Sequence, residues 1–423
     1  MATEINTGDD SLWLGIDLGT TSVKAVLINI EGDVIQSRSC ETGAEVKSAV
    51  GNAGYEQDPY KILSTIQDVV LSVLSSKDLS CIRGIGITGQ MHSVLMWKWS
   101  LKNYNCVEQL DKLDGRVDCS NLYTWQDQRC TPEFLETLPR PSSLYQPLST
   151  GHGCATMFWL AQNQSSFFKD GQFTSCGTIM DFLIAILCGL DHPVTSDQLA
   201  ASLGYFNKNH LSWDSVLYED NDFPNYLLPK IVPAGTKIGH VTTSLKGWPS
   251  GVPVFVAMGD VQTAMFAALK YTSDAGLGEH VDNVSLMTRL QALAEQSKDR
   301  SSTLVVRPVF FGERHNTALQ GHISGISSAN FSNIGVVFRA LCEGLVDHLH
   351  DMVPAQYLLS SGISRLLVSG SVSMKNSIVK QRLIDLYTVC SNLSVIIDNE
   401  SANAVGSAVG AAQVIKNYTQ ENK

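Results

Sequence analysis

The sequence has no apolar run long enough to cross a bilayer, which argues against a helical membrane protein. Its opening residues, Met1 to Asn6, hold neither a basic stretch nor an apolar one, so no secretory signal is expected. Cationic clusters are missing as well. Lys and Arg number 30 against 41 Asp and Glu, giving a net charge of −11, and they are scattered. That disfavours nucleic acid or an anionic membrane as the main partner. The ten cysteines show no metal-ligand spacing and no dense framework of a small secreted domain. Reduced thiols in a cytoplasmic protein are the expectation, with Cys154, Cys188 and Cys342 as buried free thiols. No short internal repeat is visible. No GxxxxGK[ST] run occurs, so any phosphate site must be built differently from a P-loop.

What the sequence does have is a strand, a polar turn and a second strand between Leu12 and Asn29. The first strand is apolar and ends on an acid, Asp17. Gly19 follows, and then the hydroxyls of Thr20, Thr21 and Ser22. A turn of this composition can cradle a phosphate with backbone N–H groups and hydroxyls. The Asp17 carboxylate can hold a metal ion beside it, through water. An ordinary hairpin with a polar tip is the alternative. With 423 residues, the chain is long enough for two or three domains.

Farther along, Val34 to Ser39 reads as a third strand. Asp58-Pro59 opens a helix, with an acid at the N-cap and proline at N1. Apolar residues from Ile62 to Leu74 follow at helical spacing. Ile82 to Thr88 is a short buried strand. The polar stretch from Lys98 to Val117 is expected to be a surface insertion. Helical pieces are predicted at Phe158–Gln162 and Ile179–Leu187, and a loop-rich passage around Pro229 to Gly239. Val252 to Met258 reads as a strand and Val261 to Tyr271 as a helix, with a domain boundary just before them, near Gly251. In the second half, helices are predicted at Ile334–Met352, Ile378–Tyr387 and Ala402–Lys416. Strands are predicted at Leu366–Ser369 and Ser394–Asp398.

Three segments can carry chemistry. Gln90, Met91 and His92 leave a strand end, where ligands of α/β sheets bind, and the amide of Gln90 and the imidazole of His92 can bond vicinal hydroxyls. A plain polar loop is the alternative. Trp125, Asp127 and Arg129 suit a polyol, with its apolar face against the indole and its hydroxyls toward the acid; a surface ion pair is the other reading. Gly259-Asp260-Val261-Gln262 places an acid at the end of a strand and the start of a helix. Asp260 is the candidate base for an alcohol receiving a phosphoryl group, and it can equally be a helix cap.

Together these segments resemble the FGGY carbohydrate kinases, within the superfamily that also contains actin. Thr195-Ser196-Asp197, Gly312-Glu313-Arg314 and Gly370-Ser371-Val372-Ser373 add to the resemblance, which runs over nearly the whole chain. Gln90-Met91-His92 is similar to the ketose-using kind. Gly153–Leu160, Thr195–Asn207 and Phe311–His315 narrow the resemblance to members acting on a seven-carbon ketose, sedoheptulose. The resemblance implies an α/β fold of two ribonuclease-H-like, actin-like ATPase domains around a cleft, at 1–250 and 251–423. It implies ATP and Mg²⁺ as cofactors, a small sugar as partner, and a product that enters the pentose phosphate pathway. By the same resemblance, Asp260 is the general base and Asp17 the magnesium-side acid. Gly19, Thr20, Thr21 and Ser22 form the phosphate turn. Gln90, Met91, His92, Trp125, Asp127, Arg129, Asp260 and Gln262 form the sugar pocket. Gly370, Ser371, Ser373 and Asn376 map to the adenine and ribose pocket.

The second half departs from the family pattern. After the helix that follows Asp260, a strand pair with a second phosphate turn is expected, and near 275–300 the chain instead runs through a Gly-containing passage into a polar helix at Asn283–Gln296. Several dozen residues are missing by this comparison. A shortened variant, from alternative splicing or a mis-assembled gene model, is therefore expected to be weak or inactive as a catalyst and unstable in its second domain. A binder of sugar or nucleotide without turnover is the competing reading. An actin-like or chaperone-like ATPase is a third, against which the sugar-type loops argue.

Overall fold

In the computed structural model, the described residues are 10–98, 110–112, 117–142, 148–164, 166–168, 171–220, 222–242, 245–271, 292–297, 304–309, 319, 321–327, 333–368, 376–389, 393–397 and 406–421. They form a mixed α/β protein of two compact units, Met1–Ala267 with Val405–Lys423, and Ala268–Ala404.

The first unit is organised by a seven-stranded sheet. Its strands are β1 (Leu12–Leu18), β2 (Ser22–Ile28), β3 (Val34–Glu41), β4 (Ile82–Gly89), β5 (Lys237–His240), β6 (Pro253–Phe255) and β7 (Met258–Gly259). The order is β5-β6-β4-β1-β2-β3, with β7 also pairing β4. β1, β2 and β3 are antiparallel neighbours, whereas β4 runs parallel to β1, β6 and β7. The strand expected over Val252–Met258 is split in two, because residues 256 and 257 leave the ladder between β6 and β7.

Helix α1 (Pro59–Leu74) forms where the capping signal predicts it. The Asp58 carboxylate accepts the N–H groups of Tyr60 and Lys61 at 2.9 and 3.4 Å. Pro59 lies at N1, where its missing N–H would be unpaired anyway. Ile62, Leu63, Ile66, Val69, Val70 and Val73 are buried in the core of the sheet. Truncating one of them, such as Leu63, to Ala would destabilise by about 2–5 kcal/mol. The expected surface insertion is anchored more firmly than its polar composition suggests. Leu110 and Val117 are buried in this core, and the Tyr60 hydroxyl donates to the Val117 carbonyl.

A second core in this unit gathers around α2 (Gly153–Asn163), from Val94 to Ile231, and includes Phe158, Tyr205 and Phe223. Helix α3 (Ile179–Cys188) packs into the core on the sheet, and α4 (Asp197–Leu203) links the two cores, with Leu199 in the first and Ala200 and Leu203 in the second. Of the three cysteines expected to be buried, Cys154 and Cys342 are, whereas Cys188 is half-buried.

Helix α5 (Asp260–Tyr271) begins directly at the end of β7. The boundary expected near Gly251 falls inside the first unit, because β6 and β7 belong to its sheet. In the second unit, β8 (Val305–Arg307) pairs with β9 (His322–Ser324). α6 (Ile334–Met352) is capped by Asn333. β10 (Arg365–Val368) pairs in parallel with β11 (Ser394–Ile397). α7 (Ser377–Ile384) ends in a π-helical turn at Asp385–Val389. The passage expected to depart from the family pattern lies mostly outside the described residues; within it, 292–296 are helical.

The last helix, α8 (Gly406–Glu421), is also placed differently from expectation, since it belongs to the first unit. Its small residues explain the placement. A Cβ on Gly15 of β1 would sit 2.0 Å from the Ala408 carbonyl oxygen, and one on Gly86 of β4 would sit 2.5 Å from that of Ala411. Only glycine lets the helix backbone come this close to the sheet.

Candidate active site

The register of three parallel strands brings the candidate residues to one edge. Asp17 of β1 is level with Thr88 of β4, and Thr88 is level with Met258 of β7. The chain therefore leaves β1 into the Gly19–Thr21 turn, β4 into Gln90–His92, and β7 into Asp260, all on the C-terminal side of the parallel strands. That side is where α/β sheets bind ligands.

Asp17 is buried, at 3 % exposure. Its cross-strand neighbour on β2 is Lys24, whose Nζ lies 3.0 Å from Oδ2. The same oxygen accepts a hydrogen bond from Ser407 Oγ, in the first turn of α8, at 2.7 Å. Oδ1 is buried and has no hydrogen-bond partner among the described residues. A buried carboxylate oxygen left without a donor is unfavourable unless a ligand completes it. The arrangement fits Mg²⁺ held through a water molecule. No group of three or more His, Cys, Asp or Glu able to cage a metal occurs among the described residues. Mg²⁺ tolerates that, because it keeps several waters and takes its remaining ligands from phosphate.

The turn after β1 is tied to residues far from it. The Thr20 carbonyl accepts from Gln57 Nε2 at 2.6 Å, and Gln57 Oε1 accepts from Gln90 Nε2 at 3.1 Å. The Thr20 hydroxyl accepts from the Trp125 indole N–H at 2.9 Å. Thr21 is exposed, and Ser22 begins β2. Gln90, expected to contact sugar, is 2 % exposed; its Oε1 lies 3.5 Å from the Thr20 hydroxyl and its Nε2 donates to Gln57, which itself holds the Thr20 carbonyl. It braces the turn from below. Trp125 is 40 % exposed.

Met91 and His92 lie in the same loop. A Cβ on Gly259 would sit 2.7 Å from Met91 Sδ and 2.1 Å from Gln262 Oε1, so both side chains close around the residue before Asp260. His92 has a left-handed backbone, at φ 67°. Its Nδ1 is 2.7 Å from the Ser202 carbonyl and its ring stacks on His152 at 5.0 Å. A carbonyl only accepts, so Nδ1 carries a proton.

Asp127 and Arg129 do not meet the description of polyol contacts. Asp127 is fully buried. Its Oδ1 accepts from Arg129 Nε at 2.8 Å, and its Oδ2 from Arg129 NH2 and the Tyr55 N–H, both at 2.9 Å. Arg129 also reaches Glu56 Oε1 at 2.6 Å and lies 4.5 Å above the Tyr123 ring. Burial opposes the guanidinium charge, but the hydrogen bonds and charges of Asp127 and Glu56 outweigh it and raise the Arg129 pKa. The pair holds the loop that presents Trp125.

Asp260 is half-buried at the start of α5, and its Oδ1 accepts the Val261 N–H at 2.8 Å. Burial raises its carboxyl above the ordinary range, and the Asp17 charge adds to the rise. The first turn of α5 is fixed to β4. Thr88 Oγ1 donates to the Met258 carbonyl and lies 2.9 Å from Thr263 Oγ1. Gln198 of α4 accepts the Gly259 N–H at 3.1 Å. Gln262 is exposed.

Of the residues mapped to the nucleotide pocket, Gly370, Ser371 and Ser373 lie outside the described residues, as do Gly312, Glu313 and Arg314. Asn376 is buried as the N-cap of α7, and its Oδ1 accepts the N–H groups of Ile378 and Val379. Its Nδ2 donates to Cys342 Sγ at 3.2 Å, so a ribose contact is not the role that this geometry gives it. Gln57, Gln198 and Ser407 are site residues that sequence reasoning misses. Only the polar run Glu56-Gln57-Asp58 before α1, and Gln198 beside the Thr195–Asp197 motif, offered a signal.

Residues 12–267 match the N-terminal domain of the FGGY family of carbohydrate kinases. The chain belongs to the FGGY family of carbohydrate kinases, which are sugar phosphotransferases. A sedoheptulokinase of Mus musculus is 33 % identical over 446 aligned positions, covering 88 % of this chain and 91 % of the relative. One of Homo sapiens is 32 % identical over 484 positions, covering 96 % and 97 %. That alignment is longer than the 423 residues of the chain, so it contains gaps of several dozen positions on this side. A xylulose kinase of Lactobacillus acidophilus shares the fold at a TM-score of 0.69 and 17 % identity, over 98 % of this chain and 90 % of that one. No helix among the described residues is long and apolar enough to cross a membrane.

Proposed function

We propose that the chain transfers the γ-phosphoryl group of ATP to the primary hydroxyl of a ketose, giving sedoheptulose 7-phosphate from sedoheptulose. The observation that carries the reading is the common edge of Asp17, the Thr20 turn and Asp260, fixed by strand register. The near full-length similarity to sedoheptulokinases supports the choice of sugar.

In this mechanism the sugar lies with an apolar face on Trp125 and its hydroxyls near Met91, His92 and Gln262. Asp260 accepts the proton of the attacking hydroxyl on Oδ2, the oxygen not bonded to the Val261 N–H. A carboxyl raised by burial is the better base for an alcohol, and Gln198, Thr88 and Thr263 hold it in position. The backbone and hydroxyls of Gly19, Thr20, Thr21 and Ser22 receive phosphate oxygens. Mg²⁺, held through water by Asp17 Oδ1, would neutralise charge on the transferring phosphoryl group. We place the activity in the cytoplasm, with a product that enters the pentose phosphate pathway.

A second reading rests on the alignment gaps. If they remove the second phosphate turn, the chain retains a sugar or nucleotide site with little turnover. One experiment separates the two: ADP release by the purified chain with and without sedoheptulose, beside Asp260→Asn. Sugar-dependent release that falls by about 10³-fold or more in the variant supports the kinase. Sugar binding without release supports the binder. Release that is equal in both chains refutes Asp260 as the base.

A further inference from the structure

We infer that Gln57 is a positioning residue that locks the phosphate turn to the sugar-facing Trp125; this rests on the functional reading above. Gln57 is 3 % exposed, at the end of the two-residue strand Glu56–Gln57. Its backbone is pinned on both sides. Glu56 is held by Arg129, Ser48 and Asn121, and Asp58 caps α1 while its N–H bonds the Ala44 carbonyl at 2.8 Å.

The side-chain amide has one orientation that satisfies its neighbours. The Thr20 carbonyl only accepts, so Nε2 must face it, at 2.6 Å. Oε1 then accepts from Gln90 Nε2 at 3.1 Å, and Gln90 itself is anchored by its N–H to the Leu18 carbonyl at 2.9 Å. These bonds close a ring through Leu18, Thr20, Gln57 and Gln90 that fixes the backbone of the turn. The Thr20 hydroxyl stays adjustable. Its lone pair takes the Trp125 indole N–H at 2.9 Å, while its own proton meets Gln90 Oε1 only at 3.5 Å. That proton can swing to a phosphate oxygen without breaking a strong bond. Trp125, on which the sugar would rest, and a phosphate in the turn thus share one hydroxyl. Gln57 sets where that hydroxyl sits, without touching either ligand.

The test uses the full chain labelled with 5-fluorotryptophan, the Trp125 fluorine signal being assigned from Trp125→Phe. Gln57→Leu keeps the volume and removes both bonds. Gln57→Glu keeps the acceptor for Gln90 and loses the donor to Thr20. In both variants the Trp125 signal should move while signals of tryptophans in the second core stay. In the kinase assay, kcat should fall about tenfold to a hundredfold with little change in the sugar KM, as expected for a misplaced turn. A Trp125 signal unmoved in a folded Gln57→Glu chain overturns the inference, even if Gln57→Leu fails to fold. Because the fluorine signal needs no turnover, the test stands even if the kinase reading fails.

Discussion

Replacing Arg129 with Met tests whether the loop carrying Trp125 depends on a buried charge network. Met keeps an apolar stem beneath the Tyr123 and Trp159 rings but removes the cation. It leaves Asp127 at 0 % and Glu56 at 8 % exposure, two carboxylates within one buried site and without their counter-charge. Breaking one buried pair destabilises by about 3–5 kcal/mol, and here a single substitution breaks two. The protein can escape part of this by protonating a carboxyl, so the loss should depend on pH. In the variant, burial acts on Glu56 without the guanidinium to oppose it, so its folded-state carboxyl pKa rises. The proton-bound form then contributes stability at low pH that is lost as pH rises. Arg129→Met should therefore lose at least about 3 kcal/mol at pH 8 and visibly less at pH 5. Adding Asp127→Asn and Glu56→Gln should recover part of the loss and flatten its pH dependence. Urea unfolding followed by tryptophan fluorescence measures all of this. A loss below about 1 kcal/mol that is the same at both pH values would refute the reasoning, and would return Asp127 and Arg129 to the status of an incidental ion pair.

Other positions give independent tests. Burial pushes the Asp181 carboxyl up to about 7, where its Oδ2 accepts from the backbone N–H and hydroxyl of Thr178. Its protonated form contributes stability that is complete below about pH 4 and lost as pH rises through about 7. Asp181→Asn should remove roughly 3 kcal/mol of the decline in stability between pH 5 and 8. Parallel stability curves for the two chains would contradict this. At Gly15, whose Cβ would meet the Ala408 carbonyl at 2.0 Å, Ala should push α8 off the sheet. The expected loss is about 1–3 kcal/mol. Amide exchange in α8 should accelerate with it, and unchanged protection there would show that the helix is not held as described.

How much of this is legible in the sequence depends on how local each relation is. The strand-turn-strand at Asp17 and the start of α1 are both written in a few consecutive residues, and both form as expected. Asp260 at the junction of strand and helix is equally local, and there even the alternative of a helix start is realised along with the raised carboxyl. The misreadings arise where burial is decided from far away. Asp127 and Arg129 beside Trp125 look like a recognition motif because acids and arginines usually face solvent or a ligand. Glu56, 73 residues earlier in the chain, turns them inward by completing a three-charge network. Gln90 is misread for the same reason, since its partner Gln57 lies 33 residues away. A still longer relation, Ser407 to Asp17, spans 390 residues and follows from the small side chains of α8, which read as packing and not as chemistry. In each case the motif names residues that the fold brings near the same sheet edge. Which of them faces the ligand and which holds its neighbour is set by the hydrogen-bond partners that long-range packing provides. A change at a supporting position such as Gln57 should therefore lower kcat without removing any group that touches sugar, and by less than Asp260→Asn does.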